Sequence, residues 1–538
     1  MKLNRFICFK LMLLGIIPGL FALPISNDTL SKAPDDWYHL DEKTDHVRGI
    51  SSDRAYQEFL NDQTPAEVVV AVIDGGIDID HNDLDDNIWV NEDEIPGNGI
   101  DDDGNGYVDD IHGWNFIGGA DGENVQYATL EVTRLYRKYK DQYENASISE
   151  LNKRERAEYA YFQEIKEAYE ERLAESEEQR SIFMQYLFIM RITSQIVEEA
   201  LDGKELTPEN VQNFETDNDT VLEAIRFMQM AWENEWTEDY FAKGYEQYNN
   251  LIEYGLNPDF DSRSIVGDDP NDLKERYYGN NDVEGPDAEH GTHVAGIIGA
   301  ERDNGLGING IAPNVKIMAI RAVPDGDERD KDVANAIRYA VDNGAQIVNM
   351  SFGKSYSPNK KVVDKAIKYA KRKGVLLIHA AGNDNENIDV EENFPTRSLK
   401  ESHSKKWAKN WIEVGASSWG GDDNFVAAFS NYGNQYVDIF APGKDIYSTV
   451  PDEKFEKNDG TSMAAPVVSG VAATLLSYYP DLKYKELRQI ILDSAVRYTD
   501  RKVNKPGSGE MIPFGNLSRT GGIVNLYEAV KLAEELTK

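Results

Sequence analysis

The chain has 538 residues, more than one ordinary domain needs, and a hydrophobic fraction of 40% is enough for a sizeable core. Lys+Arg is 56 against Asp+Glu 96, a formal charge of −40. Such an acidic surface repels nucleic acid and anionic membranes, which excludes both as partners, and it suits a soluble, cation-binding protein.

Residues 1–22 have the plan of a secretory signal peptide. Lys2, Arg5 and Lys10 are its basic part, Leu11 to Leu20 its apolar part, and Ala22 its cleavage residue, although Leu20 fits the cut poorly. Export to a periplasm, cell envelope or extracellular space is therefore expected. The only cysteine, Cys8, lies inside this segment, so a mature chain would hold no disulfide and would depend on packing and bound metal. No later apolar run reads as a transmembrane segment. Residues 23–60 form a polar N-terminal extension in which Trp37 and Tyr38 are candidate anchors.

Val68 to Ile73 is a continuous apolar run, the pattern of a parallel strand buried on both faces. Asp74 follows it, and Gly75 and Gly76 end it. Such an aspartate is often only a turn residue. Further on, Asp101 to Asp110 carries oxygen ligands at alternate positions with Gly106 at the sixth, a pattern that suits calcium. Asp101, Asp103, Asn105 and Asp109 would use side chains and Tyr107 its carbonyl. His112 stands where a bidentate glutamate would close a standard loop, so a neighbouring loop has to complete the shell.

Residues 123–202 contain no glycine or proline, a helical composition. Phe162, Ile165, Tyr169 and Leu173 keep helical spacing, and so do Phe183, Tyr186, Leu187 and Met190. Thr207-Pro208-Glu209 is a helix start. Val221, Ile225, Met228 and Trp232 form one further face, and Phe241, Tyr245, Tyr248 and Ile252 another. Residues 121–254 read as a helical insertion, largely antiparallel hairpins, whose aromatic stripes pack on each other rather than line a ligand groove. Asp268, Asp269, Asn271 and Asp272 form a weaker acidic cluster, a second candidate cation site.

His290 opens the next helix, with Gly291, Ala295 and Gly296 allowing close packing. His293 lies three residues on, without the glutamate of a zinc-hydrolase pattern, and reads as a packing residue. Strands are predicted at Lys316 to Ile320, Ala345 to Met350 and Gly374 to His379. Helices are predicted at Val333 to Val341 and Val362 to Ala370. The alternation implies a doubly wound, mostly parallel α/β sheet whose ligands bind beyond the carboxyl ends of the strands. Asp325, Asp327, Glu328 and Asp330 read as a solvated acidic loop. Met463 to Leu476 is an apolar helix, which places Ser462 at a helix N-terminus, where free amides favour developing negative charge.

Three stretches far apart then combine: Val69 to Ile77 around Asp74, His290-Gly291-Thr292-His293-Val294-Ala295-Gly296, and Gly460-Thr461-Ser462-Met463-Ala464-Ala465-Pro466. A hydroxyl nucleophile needs a base, and the base needs an orienting carboxylate. At these residues the chain resembles the subtilisin-like serine proteases, in the order Asp, His, Ser. Ala380-Ala381-Gly382-Asn383 is similar to the segment with the family's oxyanion asparagine, and Val348-Asn349-Met350-Ser351-Phe352-Gly353 to its substrate-aligning strand.

The resemblance implies a discontinuous catalytic domain, residues 61–120 and 255–538, cleaving peptide bonds of protein or peptide substrates. Ser462 would be the nucleophile, His290 the base, Asp74 its orienter, and Asn383 with the Ser462 N–H the oxyanion hole. Ser351, Phe352 and Gly353 would pair with the substrate, while Ala380, Ala381 and Gly382 border the pocket before the scissile bond. Their small size predicts a roomy, apolar pocket. The acidic loop at 325–330 matches one flanking the substrate cleft in relatives. Residues 23–60 are too few for the folding prodomain such proteases often carry. The alternatives are a catalytically silent binding module and an envelope interaction protein using the helical insertion. The complete catalytic set speaks against the first and the lack of a fixed-period repeat against the second.

Overall fold

The computed structural model describes residues 32–234, 236–399, 407–421 and 424–537; the expected signal peptide lies outside them. The N-terminal segment is woven into the body. Trp37 and Tyr38 are fully buried, and the short helix α1 (Ser52–Ala55) follows them. Trp37 Nε1 donates to the Asp445 carbonyl at 3.1 Å, Tyr38 Oη to that of Tyr447 at 3.3 Å, and Tyr56 Oη to that of Ile311 at 2.7 Å.

Strand β1 (Val68–Asp74) is followed by β2 (Gly113–Asn115) and then by helices. These are α2 (Glu131–Tyr143), α3 (Lys153–Ala200), α4 (Pro208–Gln212), α5 (Asp219–Glu233), α6 (Glu238–Asn250) and the single turn α7 (Arg263–Val266). The chain returns to the α/β body through α8 (Glu289–Gly299), β3 (Val315–Arg321), α9 (Asp330–Asp342), β4 (Ile347–Met350), α10 (Lys360–Lys373) and β5 (Leu376–Ala380). It continues with β6 (Trp411–Ser417), β7 (Ile439–Pro442), the hairpin β8 (Ile446–Val450) and β9 (Lys454–Asn458), and α11 (Thr461–Tyr478).

The main sheet has nine strands, ordered Val496–Arg497, Gly522–Ile523, β7, β6, β5, β4, β1, β3, β2. All its pairs are parallel except the one between the two terminal strands. The fold is the expected doubly wound α/β sheet. The apolar run of β1 is explained by position, since β1 lies between β3 and β4 with helices on both faces. Asp74 is the last residue of β1, and Ser351 and Asn383 fall just past the carboxyl ends of its neighbours in the sheet, β4 and β5. Among the described residues one helix, α11, is long and apolar enough to cross a membrane, and 89% of it is buried. It is the core helix on which β4 to β7 pack.

The helical insertion is present, with one difference from expectation. The stripes at 162–173 and 183–190 lie on a single helix of 48 residues, α3, with no turn between them. An Asn152–Glu155 capping box starts it, and at 1.5 Å per residue it is about 72 Å long. Its first half packs on α2, where Tyr136 stacks on Tyr169 at 4.3 Å. Its second half packs on α5 and α6, where Tyr186 stacks on Phe241 at 5.3 Å. The aromatic stripes are thus small cores. The proline start at Thr207 is real, but α4 ends after five residues and α5 is a separate helix.

Candidate active site

Asp74 ends β1 at 3% exposure. Its Oδ1 accepts the Gly75 amide at 2.8 Å and lies 2.7 Å from His290 Nδ1. Its Oδ2 is buried with no protein partner. Gly291 explains the close seating of α8: a Cβ there would lie 2.0 Å from the Gly76 carbonyl oxygen and 3.1 Å from Asp74 Cβ. The His290 ring is 45% exposed. Desolvation pulls its pKa down, but the Asp74 carboxylate, helped by Asp287 and Glu289, outweighs this and holds it above the usual 6.5. His293 behaves as the packing residue it was read to be. It is fully buried, its Nε2 sits 3.1 Å from the Glu456 carbonyl, and burial lowers its pKa to about 4.

Ser462 lies in the first turn of α11, which packs along α8. Its hydroxyl donates to the Ser351 carbonyl at 3.0 Å, and Ser351 Oγ donates back to the Ser462 carbonyl at 2.9 Å. Among the described residues no hydrogen bond joins Ser462 to His290. The structure therefore brings Asp74 and His290 together directly and holds Ser462 against the β4 exit. Asn383 is fixed by its own carbonyl oxygen, which accepts the Thr461 amide and hydroxyl, each at 2.9 Å. Its amide nitrogen and the Ser462 backbone nitrogen both lie 3.4 Å from the point where a Gly460 Cβ would sit, so two donors border one space.

Two asparagines pack against the glycines of the predicted substrate segments. A Cβ on Gly353 would lie 2.4 Å from Asn393 Oδ1, and one on Gly382, at φ +102°, would lie 2.4 Å from Asn431 Nδ2. Asn393 donates to the Ala381 carbonyl at 2.9 Å. Sequence reasoning missed it, and no local pattern marks it. Phe352 meets the buried His379 edge-on at 6.4 Å, and His379 Nδ1 pairs with Glu413 at 2.7 Å.

The acidic loop splits its predicted ligands. Oxygens of Asp101, Asp103 and Glu94 lie within 4.8 Å of one another. Asp109 departs: its carboxylate accepts the Asn98 and Gly99 amides, at 3.1 and 2.8 Å, and its φ is +52°. Asn105 Oδ1 is held by the Tyr107 amide at 2.8 Å. Tyr107 packs its ring on Trp114 and Tyr339. Glu94, from outside the loop, stands beside Asp101 and Asp103 instead. The donor set of three carboxylates suits a hard divalent cation.

Two other acidic readings are corrected. The Asp268 side chain is buried and already paired with two cations, Arg263 and Lys331, each at 2.6 Å. The loop at 325–330 is only partly solvated. Asp325 is exposed, but Glu328 is 1% and Asp330 5% exposed, and residues 327–330 are tied to α2 and to Lys354.

A subtilase family model matches residues 66–515. The chain belongs to the subtilase family. Subtilases are serine-type endopeptidases, and this is the enzyme class of the chain. It is 33% identical to the "Thermophilic serine proteinase" of Bacillus sp. (strain AK1) over 320 residues, 59% of this chain and 69% of that protein. It is 30% identical to "Subtilisin-like protease 1" of Plasmodium falciparum (isolate 3D7) over 286 residues, 50% of this chain but only 39% of that one. A solved structure described as proteases from Pseudoalteromonas arctica PAMC 21717 is 26% identical, covering 47% of this chain and 78% of its own, with a TM-score of 0.38.

Proposed function

We propose that the protein is an exported endopeptidase that cleaves protein substrates through an acyl-enzyme on Ser462. His290 takes the Ser462 proton during attack on the carbonyl and returns it to the leaving amine. Asp74 holds the Nδ1–H tautomer and stabilises the imidazolium. The Asn383 side-chain amide and the Ser462 backbone N–H receive the oxyanion. The observation that carries this reading is the 2.7 Å Asp74–His290 contact, with His290 on a helix that packs against α11, whose first turn holds Ser462. The bond from Ser462 to Ser351 is compatible with it, because catalytic hydrogen bonds often form only in the substrate complex. A turn about the Ser462 Cα–Cβ bond releases Oγ from Ser351.

Ser351–Gly353 would align the substrate backbone as an added strand. Asn393, which packs against Gly353, supports a small or hydrogen-bonding side chain before the scissile bond rather than a large aromatic one. Glu94, Asp101 and Asp103 would hold a calcium ion whose charge offsets three crowded carboxylates and pins the loop. A fluorophosphonate should label the wild-type protein stoichiometrically and leave Ser462→Ala unlabelled. Equal labelling of the two would refute the assignment.

A further inference from the structure

Lys354 directly follows the proposed substrate edge, and its ammonium is 1% exposed. All three of its N–H donors are used: Glu131 Oε2 at 2.9 Å, the Glu328 carbonyl at 2.7 Å and Asp330 Oδ1 at 3.1 Å. Its backbone pairs both ways with Phe394 at 2.9 Å, and Phe394 follows Asn393, which packs against Gly353. Glu131 is the first residue of α2, hence of the inserted helices. It is gripped by Arg134 Nη2 at 2.6 Å. Arg134 reaches on to the carbonyls of Asp327 at 3.1 Å and Glu328 at 3.3 Å. The Glu131 amide bonds Asp327 Oδ2 at 2.7 Å. Upstream, the Ala128 amide bonds the Asp325 carbonyl at 2.9 Å, and the Asp325 amide bonds that of Gln126 at 2.8 Å.

These contacts converge on one place. The root of the insertion touches the 325–330 loop, and the same buried ions run into the residue after Gly353. We infer that Glu131, through Lys354, is a positioning residue: the insertion sets the register of the strand edge that aligns an extended substrate. This rests on the reading of Ser351–Gly353 as that edge. The physical reason is stiffness. A buried ammonium with every donor satisfied has one low-energy place, and charge-assisted bonds hold it there. A misplacement of about 1 Å in a substrate-positioning group can cost about 10²-fold in rate. A substrate too short to reach the edge does not feel it.

The test compares kcat/KM for a tetrapeptide anilide, which occupies the edge, with turnover of p-nitrophenyl acetate, which does not. Glu131→Gln, which keeps shape and loses charge, should lower kcat/KM for the anilide by about tenfold. It should leave acetate turnover within about twofold. Equal losses on both substrates, or none on either, would overturn the inference. If Glu131→Gln lacks a cooperative melt, the double variant Lys354→Met with Glu131→Leu removes both charges at similar volume, and the same split is expected of it. A wild type inert toward fluorophosphonate would instead strike the catalytic reading itself, so the two failures are distinguishable.

Discussion

Asn383 is the residue whose geometry speaks most directly to rate. Thr461 holds its oxygen, so the amide group, not the carbonyl, is presented beside the Ser462 nitrogen. A donor aimed at charge that exists only in the transition state affects turnover more than binding. Asn383→Ala should lower kcat by about 10²–10³ with KM nearly constant, read from steady-state kinetics on one peptide. His290 gives a second expectation. Only the neutral imidazole can accept the serine proton, and the surrounding carboxylates raise its pKa above 6.5. The acid limb of kcat/KM should therefore lie above that of a free histidine. Replacing Asp287 and Glu289 with their amides should move it back down.

At the scale of elements, the 101–110 loop was legible as a cluster of acidic oxygens, but its geometry was not. The alternate spacing marks Asp101 and Asp103, whose oxygens stand together. It cannot show that a left-handed backbone at Asp109 turns that carboxylate onto the Asn98–Gly99 turn. Nor can it mark Glu94, which arrives from another turn and also accepts the Asp102, Asp103 and Asp109 amides. Chelation should lower the melting temperature. Glu94→Gln should be less stable and less sensitive to chelator, whereas Asp109→Asn should keep its sensitivity; differential scanning in calcium and in chelator reads both. The strands were legible for a simple reason: β1, β3, β4 and β5 are buried almost throughout, so each is mostly apolar. The continuity of α3 was not. Its packing partner changes from α2 to α5 and α6 along its length, so its two stripes look like two helices. The 325–330 loop misled because acidic side chains signal solvent unless their cations are known. Those cations, Arg134 and Lys354, lie at distant positions in the sequence.

For the molecule as a whole, the α/β alternation sufficed to place Asp74, Ser351 and Asn383 at the carboxyl ends of adjacent strands. What lay beyond reach was how the segments outside that pattern join it. Residues 23–60 read as a polar extension with Trp37 and Tyr38 as candidate anchors; of them, the described residues 32–60 form part of the main core. This sets a boundary on maturation. A processing cut on the amino-terminal side of Lys32 leaves this core segment whole. A cut past Tyr56 strips out three buried aromatics, Trp37, Tyr38 and Tyr56, and with them the donors to the carbonyls of Asp445, Tyr447 and Ile311. Trimming that far is a route to disposal of the enzyme, not to its activation.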